Sequence, residues 1–134
     1  MKRIIFVLIA ITAIFLSSCQ KDEDPTINTT SIDGSWKCVE NSGIYGTQNY
    51  YVDISTDAAN SNKKIIDNFF GLGLGTIVMA TQSGQALTIS NAVQLGHTFN
   101  GNGTISSNNN SISWTYTVDE GNGPDNVTAT YTKM

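Results

Sequence analysis

Between residues 111 and 118 every second position is apolar. Ile112, Trp114, Tyr116 and Val118 fall on one face of an extended chain, and Ser113, Thr115 and Thr117 on the other. Side chains of a strand point alternately to its two faces, so this spacing predicts a strand with one face buried. Residues 127–132 repeat it, with Val127, Ala129 and Tyr131 set against Thr128, Thr130 and Thr132. The stretch from Asp119 to Asp125 between them is rich in Asp, Gly and Pro, the residues of turns, and the two strands read as a hairpin. Weaker alternation places further strands at 36–40, 49–55, 63–70, 75–81, 86–90 and 97–106. Gly101 and Gly103 mark a bend or bulge in the last of these. Gln82-Ser83-Gly84-Gln85 and Asn108-Asn109-Asn110 supply tight turns.

The pattern amounts to eight short strands joined by short connections. Short connections make neighbouring strands antiparallel, because parallel pairs need long crossovers. An open sheet of that size would leave two edges unpaired, and closing it removes both. The expected fold is therefore all-β, a single antiparallel up-and-down barrel of eight strands, with a two-sheet sandwich as the alternative. Eight strands enclose just enough room for side chains or one small ligand.

The start of the chain follows a different rule. Met1, Lys2 and Arg3 precede an unbroken apolar run from Ile4 to Leu16. That run is shorter than the roughly 20 residues a helix needs to cross a bilayer. A basic start and a short apolar core have the form of a secretory signal peptide. Leu16, Ser17, Ser18 and Cys19 follow, and this order resembles the bacterial lipobox. The resemblance implies cleavage before Cys19, with a diacylglycerol on its thiol and an acyl chain on its new amino group. Two or more acyl chains anchor a protein stably without a transmembrane helix. Lys21, Asp22, Glu23 and Asp24 resemble the surface-export signal of Bacteroidetes lipoproteins. The expected organisation is a signal peptide at 1–18, a lipidated cysteine and acidic tether at 19–31, and the barrel at 32–134. The implied location is the outer membrane, lipid-anchored and exposed at the cell surface.

Charge narrows the partners. Loss of Lys2 and Arg3 with the signal leaves five of seven basic residues against all eleven acidic ones. No basic stripe remains for a phosphate backbone, so nucleic acid is not an expected partner. Lipid on Cys19 leaves Cys38 as the other cysteine of the two, with no partner for a disulfide. Two residues from Trp36, it reads as a small buried hydrophobe.

Gly34 and Trp36 open the first strand. Gly-x-Trp at that position resembles the start of lipocalins and other calycins, where the Trp plugs the barrel floor; streptavidin-like barrels begin the same way. With its tether and meander the chain is similar to the small lipocalin-like lipoproteins of Bacteroidetes, mostly of unknown function. It is shorter than a full lipocalin and lacks that family's disulfide pair.

The candidate chemistry is sparse. A zinc site takes several His or Cys ligands, and His97 is the single histidine. No Gly-x-Ser-x-Gly elbow occurs. Asp53 and Asp67 fall in neighbouring strands as a conceivable carboxylate pair. The 119–125 loop offers oxygen ligands for calcium, but its Asp and Gly also suit a turn. No catalytic residue, metal or cofactor is expected beyond the lipid on Cys19. Phe69-Phe70-Gly71-Leu72-Gly73-Leu74-Gly75 interleaves apolar residues with glycine, either as a bent strand or as an apolar rim on the barrel. Tyr45, Tyr50 and Tyr51 add aromatic faces, with Tyr50 and Tyr51 on opposite sides of their strand. The residues expected to line a ligand site or its rim are Leu72, Leu74, Trp114, Tyr116 and Tyr131.

Two functions fit. One is a membrane-anchored, non-catalytic binding module for a small apolar ligand or glycan. The other is a structural or interaction protein of an envelope complex, its barrel filled. An interior space of ~300–1,000 Å³ would mark the first.

Overall fold

A computed structural model describes residues 31–134. The lipobox, Cys19 and the acidic export signal therefore lie outside the described residues. Within them the alternation becomes eight antiparallel strands: β1 (Gly34–Ser42), β2 (Gly46–Thr56), β3 (Lys63–Asp67), β4 (Ile77–Ser83), β5 (Ala86–Gln94), β6 (His97–Ile105), β7 (Ser111–Asp119) and β8 (Pro124–Lys133). Each pairs with the next, and β8 returns to β1, so the sheet closes into an up-and-down barrel. Closure leaves no unpaired edge, which rules out the sandwich.

Two expectations need correction. The third strand stops at Asp67 rather than reaching Phe70. Asn68 (φ 63) and Phe70 (φ 59) are left-handed, a conformation a strand cannot continue through, and a single 3-10 turn forms at Phe69–Gly71. The bulge lies in β5 between Ile89 and Ala92, not at the glycines of β6. There Asn91 takes φ 46, and its N–H donates to Asn100 Oδ1 at 2.8 Å.

The glycines of β6 do a different job. Gly103 sits opposite Trp114 and Gly101 opposite Tyr116 across the β6–β7 ladder. A Cβ at Gly103 would fall 2.8 Å from the Trp114 ring, and one at Gly101 2.2 Å from Tyr116 Cβ. A narrow barrel can hold two large aromatics on β7 because the β6 residues directly opposite them carry no side chain.

The interior is solid. Trp36, Cys38, Phe69, Phe99, Trp114, Tyr116 and Tyr131 are all buried within one core. At the end where the chain enters, Trp36 closes the barrel. Its Nε1 donates to Ile32 O at 2.9 Å, and Lys133 Nζ lies 5.6 Å from its ring centroid. The opposite end, called the far end below, is closed by the Phe69–Gly71 turn. There Phe69 packs on Tyr116, Phe99 and Trp114 at centroid distances of 4.9, 5.2 and 5.9 Å.

Candidate functional site

β1 turns Trp36, Cys38, Glu40 and Ser42 inward by simple alternation. That puts a carboxyl group in the core, where Glu40 is fully buried. Its Oε2 accepts hydrogen bonds from the hydroxyls of Tyr50 and Tyr116. Its Oε1 has no partner among the described residues, and neither does Trp114 Nε1. Burial pushes the Glu40 carboxyl above its ordinary range, further aided by the negative Asp125, while the two tyrosine hydrogen bonds pull it partly back. Burial likewise holds the phenols of Tyr50, Tyr116 and Tyr131 far above their usual value. The Cys38 thiol is pushed up to about 12, chiefly by burial. A thiol in that state is a poor nucleophile, and its role is packing. The basic side chains among the described residues are Lys37, Lys63, Lys64 and Lys133, and none forms an ion pair with Glu40.

The far end carries a second arrangement, around Phe70. Tyr45 Oη donates to Glu120 Oε1 and Oε2 at 2.7 and 2.8 Å, and His97 Nε2 lies 3.0 Å from Glu120 Oε1. The rings of Tyr45 and His97 each stand 6.0 Å from that of Phe70. The connections around this network expose apolar side chains. Leu74 is 80% and Leu95 69% exposed, and Ile44 and Tyr45 of the β1–β2 turn and Val93 at the end of β5 are also open. Asp67, Asp119 and Glu120 lie at the same end, as the strand bounds place them. None of the four described lysines does.

Two open depressions lie on the surface. One of about 340 Å³ sits at the entry end between Ile32, Thr56 and Lys64. The other, about 290 Å³, lies on the outer wall over Asn41, Thr115 and Thr128.

The predicted positions fall as follows. Trp36 closes the entry end, and Gly34 (φ 129) gives the chain its way in. Trp114, Tyr116 and Tyr131 form no rim; alternation turns them inward, where they are buried in the core. Leu72 rests half-buried against the core and Leu74 stands exposed. Asp53 and Asp67 do face each other, but on the outer wall. Asp53 accepts from the Ser35 hydroxyl, and Asp67 Oδ1 accepts the Gly75 N–H at 2.7 Å. In the 119–125 loop, Asp119 Oδ1 accepts from Gly121 and Gly123. Asp125 points away to the β1–β2 turn, accepting from the Ser42 hydroxyl and, at 3.0 and 3.4 Å, from the N–H groups of Gly43 and Ile44. No group of three or more potential metal ligands occurs among the described residues. Glu40 escaped the sequence analysis, although alternation from Trp36 through Cys38 points straight to it.

No family model and no curated protein matches the chain. Solved structures are similar at the level of fold. A redesigned β-barrel superposes with a TM-score of 0.56 at 12% identity, covering 77% of this chain and 91% of its own. A Bacteroides ovatus protein of unknown function superposes with a TM-score of 0.51 at 12% identity, covering 75% of this chain and 41% of its own. This chain spans less than half the length of that protein.

Proposed function

We propose that the protein is a non-catalytic interaction module, a filled barrel whose far end docks on a partner protein of the envelope. The observation that carries this reading is the set of exposed apolar tips at that end. Ile44, Tyr45, Leu74 and Leu95 belong to connections there, and Val93 lies at the far end of β5. Apolar side chains clustered at one end of a small domain mark a surface that is covered in use. Asp67, Asp119 and Glu120 border the tips, so the matching surface has an apolar centre and a basic rim. The packed core supports this reading over an interior carrier, since Trp114, Tyr116 and Tyr131 occupy the space a ligand would need.

The same reading takes the chain as a lipocalin-like lipoprotein of the Bacteroidetes type, cleaved and lipidated at Cys19 and held at the outer membrane. The chain reaches the barrel at Ser31, beside Trp36, with Lys63 and Lys133 at that end. Anchored there, the barrel turns its lysines toward anionic headgroups. Its apolar tips then face away from the bilayer.

Site-specific photocrosslinking in the native host tests the docking surface. A crosslinker at position 74 or 95 is expected to trap one partner of defined mass, and one at position 86, on the entry end, none. Leu74→Ser combined with Leu95→Ser should abolish the adduct without lowering the unfolding temperature. Equal labelling from both ends, or none from either, would sink the proposal.

A further inference from the structure

We propose that the barrel interior is also a cryptic binding site for a small neutral molecule with a carbonyl oxygen and an apolar body, entered when the Phe69–Gly71 turn swings outward.

The polar half of the site is the set of groups that folding leaves without partners. Glu40 pairs with Ala129 on β8, and Trp114 pairs with the same Ala129 from the other side. Tyr131 lies two residues along β8 on the same face, its ring 5.9 Å from that of Trp114. The unpartnered Glu40 Oε1 and Trp114 Nε1 thus belong to side chains of one layer of the interior. Buried polar atoms without partners are rare in folded proteins, and two in one layer ask for an explanation.

Their chemistry selects the ligand. Trp114 Nε1 can only donate. Oε2 of Glu40 already accepts twice, so Oε1 is the oxygen left to carry the proton whenever the carboxyl is neutral, and it then donates as well. These two donors match the two lone pairs of a carbonyl oxygen. An anion is disfavoured, because Asp125 adds negative charge near Glu40 and no lysine pairs with it. The surrounding rings of Phe69, Phe99 and Tyr116 suit an apolar body.

The entrance is the far-end turn. Phe69 covers Trp114 and Tyr116 directly. The turn is held with Phe70 at φ 59, a strained conformation for a bulky side chain. Gly71, Gly73 and Gly75 follow, all at positive φ, and give the segment hinges that other residues would resist. Swinging outward relaxes Phe70 and exposes the core rings, and a ligand ring in place of Phe69 covers them again.

Acetophenone carries the ring and the carbonyl; ethylbenzene has nearly the same shape and no oxygen. In the full chain, Phe69→Ala and the milder Phe69→Leu are both expected to bind acetophenone roughly tenfold or more tightly than ethylbenzene. The carbonyl ¹³C resonance of labelled acetophenone should move downfield on binding. Adding Glu40→Leu should erase the preference between the two probes. Equal affinity for both, an unmoved carbonyl resonance, or no binding by whichever Phe69 variant folds would overturn the proposal.

Discussion

A carboxyl group at position 40 must shed its water every time the barrel closes. In the unfolded chain Glu40 titrates near its ordinary 4.5. In the barrel, burial raises that value. Over the interval between the two, the unfolded chain has released a proton that the folded chain still holds. The stability this group contributes is fully present below 4.5 and is lost as pH rises through the folded value. Glu40→Gln keeps the shape and the acceptor for Tyr50 and Tyr116 without a charge to desolvate. Urea unfolding at pH 4 and pH 8 is expected to show the variant gaining on the native protein as pH rises. A gap that stays constant with pH would mean that Glu40 ionises inside the barrel as readily as in water. The cost of the buried acid was readable from the alternation of β1. Its two tyrosine partners were not, because they come from β2 and β7 and meet only when the sheet closes.

Among the elements, the β1–β2 hairpin depends on a residue of β8. Its turn takes hydrogen bonds to Asp125, which is itself buried. Asp125→Ala would orphan those donors, at a cost of about 1–3 kcal/mol in urea unfolding. Asp119→Ala, which frees only exposed turn N–H groups, should cost about 0.5 kcal/mol or less. Equal losses would show that the Asp125 contacts carry no special weight. The strands themselves were legible wherever period two was clean, as in β7 and β8. The far-end closure was not. The apolar run from Lys63 to Phe70 looks like one strand, and only the left-handed Asn68 and Phe70 reveal that it folds back as a plug. Likewise Gly101 and Gly103 read as a bend because a sequence does not show which aromatics lie across the ladder.

For the molecule as a whole, anchoring and orientation go together. If Cys19 carries the lipid, Cys19→Ala should stop incorporation of a fatty-acid analogue and leave uncleaved precursor in the membrane fraction. Unchanged lipid labelling in that variant would contradict the lipobox reading. The closed β1–β8 seam has a consequence for how the protein is made. The first strand waits for the last, since its outer ladder is filled by Pro124–Lys133. A ribosome therefore releases nearly the entire polypeptide before the seam can form. Until then the nascent chain stays open and pliable, and it locks shut only when β8 arrives.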